Sequence, residues 1–566
     1  MSRFFAIFLG LSGWISASLA EGLRAPSAMA VLDNGKTLAV TLERRGGLAL
    51  IDLEKFELRS FTGWEGEFTD LVVLEDDLLL ATDSVKGRVI LIRVENSKAS
   101  VVATEAVAAF PVTAVAQQKG GMIFVASLWS KQITAIKRED ESNLQVAGTI
   151  DLPFEPREQL LVADETRLVV ADAFGGNLAL IDTDLLKVLA TRKIQGHNIR
   201  GLAMDRDEER LLISHQDLNR LAQTSFDDVH WGMFLTNKVR SASIESFFAP
   251  NSPTELWSIG DVGRAGGDPD DLLVLEGDRI VVALAGVGEI AIGEFGDRNP
   301  KRIQTGARPA SILVDEWRDR LFVANQLDDL ITVIDLKSEA VRATISLSPG
   351  TLPSAQARGE QLFFNARVSH DGWFSCHSCH TNGHTNGLVA DTMGDGGFNS
   401  PKQIPSLFGL AETAPFGWLG GKESLADQLR SSIHTTMRND HEALPEHDVE
   451  DLAAFLKTLS PPTIPTPADA EAIARGSAVF QSQKCDRCHS GKTLTTADVF
   501  DVDLPDELGN REFNPPSLRG VGLRRRFFHD GRAKSLEAVF AELQHQLESP
   551  LSDLQIADLV AFLRSR

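Results

Sequence analysis

The sequence predicts a multidomain chain: an all-β propeller of seven blades followed by two all-α units. Three observations carry this. A short strand rich in β-branched residues recurs at intervals of mostly 40 to 45 residues through the N-terminal half. Helical periodicity replaces it near Leu352. The segment after Leu352 then repeats itself at an offset of 107 to 111 residues.

The repeated strand appears at 37–43, 77–83, 122–128, 167–173, 210–216, 279–285 and 320–326. With Thr41, Ala81, Ala126, Ala171, Ser214, Ala283 and Ala324 as equivalent points, the steps are 40, 45, 45, 43, 69 and 41. A second strand follows from Leu48, Leu178 and Ile331. A period of this length in short strands marks propeller blades. Seven copies predict seven blades over residues 22–349, and this stretch loosely resembles the YVTN-type bacterial propellers. The long step holds an insertion from Gln216 to about Leu235. His215, His230 and Trp231 beside it are the sole hint of a small-molecule site in the propeller, and blade packing or a loop position explains them better.

Residues 1–20 read as a secretory signal. Arg3 gives the basic start, Phe4 to Ile15 the apolar stretch, and Ser18-Leu-Ala20 the small-residue pattern, so cleavage is expected after Ala20. The expected location is the periplasm or another exported compartment. No later segment approaches the ~18 apolar residues of a membrane helix, so no span is expected after cleavage. With 56 Lys and Arg against 79 Asp and Glu, the net charge is −23, which argues against a nucleic-acid partner.

The C-terminal half divides into residues 352–460, a proline-rich linker 461–467 and residues 468–566. Cys376-His-Ser-Cys379-His380 recurs as Cys485-Asp-Arg-Cys488-His489, Pro405-Ser-Leu as Pro516-Ser-Leu, and the amphipathic helix at Asp451 as that at Asp558. All four cysteines of the chain lie in the two Cys-x-x-Cys-His motifs, leaving none for a structural disulfide. This motif attaches haem covalently: the thiols add to its vinyl groups and the adjacent imidazole falls under the iron. Two copies in a duplicated unit behind a signal sequence predict two haem c groups in two cytochrome c-like domains. Cys376, Cys379, Cys485 and Cys488 are the attachment residues, and His380 and His489 the proximal iron ligands.

The sixth iron position separates peroxide chemistry from electron transfer. No methionine follows Met437 and the chain has no tyrosine. A local sixth ligand for the second haem therefore comes from His529, His545 or Glu542. For His529, a structural or propionate-binding role outweighs ligation.

Residues 352–566 resemble the di-haem cytochrome c peroxidase and MauG family. Gly359-EQLFFNARVS, Ala414-PFGWLGGKESL and Asn514-PPSLRGVGLRRRFFHDGRAKSLEAV carry the resemblance. It implies that the first haem reacts with peroxide, that the second transfers electrons, and that Trp418 relays electrons between them. Within the duplication Trp418 is equivalent to His529. Where the family's peroxidases place a switchable histidine, this chain has Asp395, so an open first haem is expected, as in the MauG branch. Met393 and His384 remain candidate ligands there. The family's distal glutamine matches Gln428. Its distal glutamate falls near Arg438, which can polarise peroxide but not shuttle a proton near neutral pH, so His434 or Asp440 would have to move protons. The family's sixth-ligand position on the second haem aligns with Glu542, and His545 lies one helical turn on. Gln403 and Arg524-Arg-Arg526 replace residues of the family's calcium site, which argues against calcium. The arginines pair with propionates, form a solvated face, or dock a partner.

Phe416 and Phe527 stand where the family often has tyrosine. Removing phenols would confine oxidation to tryptophan, although compositional drift explains the absence as well.

The resulting expectation is an exported peroxidase or MauG-type oxidoreductase. It would use hydrogen peroxide with a redox partner protein, such as a small cytochrome or copper protein, or with a protein substrate. The propeller would be a docking module or lid. The rival reading is a non-catalytic di-haem electron carrier.

Overall fold

In the computed structural model, the described residues are 23–118, 121–140, 142–439, 444–464 and 469–566. The signal stretch, the cleavage point after Ala20, linker residues 465–467 and Asp440 lie outside them.

Seven four-stranded antiparallel sheets follow one another as blades, each built from four consecutive strands. Blade 1 runs Pro26–Leu32, Thr37–Leu42, Gly47–Asp52 and Glu57–Gly63. Blades 2 to 7 occupy 68–106, 111–151, 156–193, 197–258, 269–304 and 309–346. The repeated strand read from the sequence is the second of each blade, and the strands read from Leu48, Leu178 and Ile331 are the third of blades 1, 4 and 7. They lie between neighbours, so both faces are buried and they read as continuous apolar runs; Thr37–Leu42 is buried throughout. The outermost strand Glu57–Gly63 alternates between exposed and half-buried residues and gives a weaker signal.

Among the described residues no strand is exchanged to close the ring. Blades 1 and 7 instead share a core of Leu38, Val40, Phe322 and Ile331. The Asp329 carboxylate accepts the backbone N–H groups of Arg24 and Ala25, and Arg320 donates to the carbonyl of Gly35 at 2.8 Å.

Five inner strands begin with proline, at Pro26, Pro111, Pro156, Pro269 and Pro309. Proline is tolerated at the first position of a strand, where no ladder hydrogen bond is lost. Residues at the head of the inner strands take a left-handed backbone at Ala25, Phe110, Asn198, Asp268 and Arg308. Three of these hold the C-terminal half, as described below.

The insertion differs from its expected extent. Residues 219–234 join the second and third strands of blade 5, Arg210–Leu218 and Leu235–Ser243. Further chain is taken up by a hairpin, Gly260–Asp261 with Arg264–Ala265, between blades 5 and 6. The insertion carries a short helix, Phe226–His230, capped by the Ser225 hydroxyl. Leu218, Val229 and Phe234 share one core with Phe363, Trp373 and Phe374 of the C-terminal half. Gly232, at φ +62°, fits closely there: a Cβ would lie 2.6 Å from the Trp373 ring.

The C-terminal half is two copies of one module. Helix Ala355–Phe363 crosses Glu446–Leu456, and Ala470–Ser482 crosses Asp553–Arg564. A Cβ on Gly359 or on Gly476 would lie 1.9 Å from the carbonyl oxygen of Asp451 or Asp558, so only glycine permits either crossing. Beside each glycine an arginine forms a paired bridge to the same aspartate, Arg358 to Asp451 and Arg475 to Asp558. The modules are not purely helical. Each carries a two-residue β-pair, Val389–Ala390 with Lys402–Gln403 and Phe500–Asp501 with Glu512–Phe513. No helix among the described residues is long and apolar enough to cross a membrane.

Candidate functional site

The first motif forms a single helical turn, Cys376–Cys379, closed at its start by reciprocal hydrogen bonds between Ser375 and Ser378. The propeller grips this turn. The buried Asp268 carboxylate accepts both serine hydroxyls, and His197 Nε2 donates to the Ser378 carbonyl at 2.9 Å. Asn198 donates to the same carbonyl, and the Arg308 guanidinium lies 3.6 Å from the centre of the Phe364 ring. Residues at the head of the inner strands of blades 5, 6 and 7 therefore hold the loop that presents His380. Nothing in the local sequence announces this grip, apart from Ser375 and Ser378 beside the cysteines.

The histidine that closes each motif is oriented through Nδ1. His380 Nδ1 donates to the Pro405 carbonyl at 2.9 Å. His489 Nδ1 donates to the Leu494 carbonyl at 3.3 Å and also bonds the Pro516 carbonyl. Pro405 and Pro516 are equivalent, so the same prop serves both modules. A histidine held this way keeps Nε2 for an axial metal bond.

Across the second module, His545 packs edge-on against Phe528 with centroids 5.0 Å apart. Its Nδ1 is buried without a protein partner among the described residues. Burial lowers the pKa of both His489 and His545 to about 4, and the proximity of His545 adds to the effect at His489. Both rings are thus neutral at pH 7, the form that ligates metal. Glu542 is exposed at the end of helix Leu536–Ala541, which removes the reason to prefer it.

His529 is 2% exposed, stacks on Phe513 at 4.1 Å, and buries Nε2 without a protein partner among the described residues. Trp418 donates Nε1–H to the Gln403 carbonyl at 2.8 Å. Gln403 in turn donates its backbone N–H to the His529 carbonyl at 2.6 Å and its side-chain amide to the Arg526 carbonyl. One residue therefore joins the two modules and Trp418, a role the sequence did not reveal.

On the far side of the first module, Gln428 on helix Leu425–Ser431 donates to Ser432 at 3.0 Å. The helix then widens into a π turn, Ser432–Thr436, that carries an exposed His434. Such turns are frequent at functional sites. His434 lies 111 residues before His545 and is its equivalent.

Three expectations change. Arg438 donates Nε–H to the Thr224 carbonyl of the insertion and Nη2–H to Met393 Sδ, so both it and Met393 are engaged with protein. His384 is buried, with Nδ1 at 2.9 Å from the Ser406 hydroxyl and Nε2 at 3.3 Å from the Leu523 carbonyl. It is an interdomain contact with no nitrogen to spare for iron. His215 is fully buried within blade 5, whereas Trp231 is exposed. The arginine cluster also has a definite use: Arg525 pairs with Asp172 at 2.8 and 2.9 Å and with Glu155, anchoring the second module to blade 4.

A propeller ring that clasps a duplicated Cys-x-x-Cys-His module defines a propeller-fused cytochrome architecture. Residues 353–463 match the family described as di-haem cytochrome c peroxidase. The methylamine utilization protein MauG of Methylorubrum extorquens is 29% identical over 279 residues, 38% of this chain and 78% of that protein. Cytochrome c peroxidase Ccp of Escherichia coli is 26% identical over 328 residues, covering 47% of this chain and 70% of its own length. The hydrazine synthase subunit gamma of Kuenenia stuttgartiensis is 24% identical over 351 residues, 50% and 94% respectively. A solved hydrazine synthase chain from that organism superposes with a TM-score of 0.51 at 16% identity over 57% of this chain and 99% of its own, a likeness of fold.

Proposed function

We propose that the chain is an exported di-haem c-type cytochrome that reduces hydrogen peroxide, or uses it to oxidise a protein partner. The residues fit two haem c groups. Four cysteines stand outside any disulfide, each proximal imidazole is propped through Nδ1, and His529 and His545 bury unpartnered nitrogens in the second module. Bound haem supplies the redox chemistry: hydrogen peroxide takes up two electrons and two protons and leaves as two waters.

The protein's own groups divide the remaining work. Cys376, Cys379, Cys485 and Cys488 tether the groups, and His380 and His489 orient them. His545 would hold the second haem together with His489, and two imidazoles there would suit that site to electron transfer. His529 binds a propionate. At the first site Gln428 holds the peroxide by hydrogen bonding, and the exposed His434 carries protons from solvent. Arg438 positions the distal segment against the insertion and does not meet substrate. Trp418 relays electrons between the modules. The donor or oxidised partner is a protein, met on the C-terminal modules, because the propeller face that meets them is occupied.

The observation that carries this reading is the Gln403 bridge, which joins Trp418 of the first module to the His529 and Arg526 carbonyls of the second. The equivalence of His434 with His545 favours a second reading, in which both sites are closed and the protein only carries electrons. Optical and electron paramagnetic resonance spectra of the oxidised protein, before and after one equivalent of peroxide, separate the two. A high-spin signal consumed by peroxide supports the enzyme. Two low-spin signals inert to peroxide, also after one-electron reduction, leave the carrier.

A further inference from the structure

Where the insertion meets the first module, three donor atoms converge. His230 Nδ1, at the end of helix Phe226–His230, lies 2.8 Å from Asp371 Oδ2 and 3.1 Å from His370 Nε2. His370 Nε2 is 3.5 Å from Asp371 Oδ2. We propose that His230, His370 and Asp371 bind a divalent transition-metal cation of the zinc type, which clamps the propeller insertion to the first module.

The triangle has the dimensions of one face of a coordination shell. Zinc–nitrogen and zinc–oxygen bonds of about 2.0–2.1 Å place tetrahedral donors roughly 3.3 Å apart. The two ring nitrogens crowd each other at 3.1 Å while both face one carboxylate oxygen, at 2.8 and 3.5 Å. A cation at the centre meets all three lone pairs. Two imidazoles and one carboxylate suit zinc and its neighbours, whereas calcium takes six or more oxygens.

Local structure builds the site. Asp371 takes a left-handed backbone at φ 59°, and this turn brings the donors of consecutive residues together. Phe226 stacks along His230 with 14° between planes and covers His370 at 4.7 Å. Trp373 Nε1–H donates to the His230 carbonyl at 3.2 Å, fixing the end of the helix that carries it. The His370 and Asp371 side chains are 10% and 11% exposed and that of His230 28%, so the ion reaches solvent on one side and takes water as its fourth ligand.

The clamp also bears on the distal segment. His370 donates its backbone N–H to the Met437 carbonyl at 2.9 Å, and the neighbouring Arg438 grips Thr224 of the same insertion. The site does not depend on the peroxidase reading.

The test uses the full haem-loaded chain, freed of loose metal with a chelator, titrated calorimetrically with zinc chloride and assayed for zinc and iron after gel filtration. One zinc per chain in the parent, lost in His230→Ala and in the isosteric Asp371→Asn with iron content unchanged, is expected. Zinc should raise the unfolding temperature of the parent by several degrees and leave both variants unmoved, while Trp231→Ala behaves as the parent. No zinc uptake by the parent, equal uptake by the variants, or binding of calcium in place of zinc would overturn the proposal.

Discussion

Gln403 donates its backbone N–H to the carbonyl of His529 at 2.6 Å. One repeat later, Asn514 returns the arrangement by donating to the carbonyl of Trp418 at 2.8 Å. The two equivalent residues Trp418 and His529 are thus each held by the other module. An internal duplication has become a pseudo-symmetric interface with an aromatic on one side and an imidazole on the other.

Trp418→Phe keeps the ring but loses the bond to the Gln403 carbonyl, at a cost of about 1 kcal/mol in stability. If the indole relays electrons, peroxide-dependent turnover falls by about tenfold or more, equivalent to ~1.4 kcal/mol in the barrier. Steady-state assays with a reduced donor check this, with haem absorbance as the control for loading.

His545→Ala should convert one low-spin signal to high spin, while Glu542→Ala leaves the spectrum unchanged. His545→Met should restore low spin at a higher reduction potential. Electron paramagnetic resonance and potentiometry read both. An unaltered spectrum in His545→Ala rules this ligand out.

Arg525→Ala leaves the fully buried Asp172 and the nearly buried Glu155 without their guanidinium. Breaking a buried pair costs about 3–5 kcal/mol, and the partial exposure of Arg525 places the loss near the lower end. Limited proteolysis should show the second module released from blade 4 before the propeller unfolds. Arg525→Lys should recover little, because the paired geometry needs a planar fork.

Gly359→Ala and Gly476→Ala force a methyl group into a backbone carbonyl at each helix crossing. Each should cost about 3 kcal/mol or more, at the upper end of overpacking penalties. The two variants should damage different modules, which haem content per chain and thermal unfolding can resolve.

Asp271 accepts the Ile312 backbone N–H at 2.8 Å and so ties blade 6 to blade 7. Burial raises its carboxyl pKa from 3.8 to about 7. The folded state therefore binds a proton that the unfolded chain has released, and this contribution to stability is lost as the pH rises from 4 to 7. Asp271→Asn keeps the acceptor and removes the titration. Its stability relative to the parent should increase over that window in denaturant melts, and a flat difference would contradict the assignment.

Much of this architecture was legible from the residues. The middle strands of each blade announce themselves because burial on both faces demands unbroken apolar runs. The edge strands stayed faint because half of their residues meet solvent. The attachment motifs were legible because haem chemistry fixes a contiguous spacing. Arg438 and His384 misled for the opposite reason: family position suggests the haem pocket, but their partners, Thr224 and Leu523, lie far away in the chain.

The sequence by itself determined the seven blades, the duplicated module and the positions of its two Cys-x-x-Cys-His motifs, because all of these rest on local periodicity or short fixed spacings. Only the tertiary structure decided that the propeller seizes the Cys376–Cys379 turn through Asp268 and Asn198. It alone placed Arg525 on Asp172 and brought His230 to His370. These contacts join residues more than 100 positions apart, and nothing local in the chain encodes such a meeting.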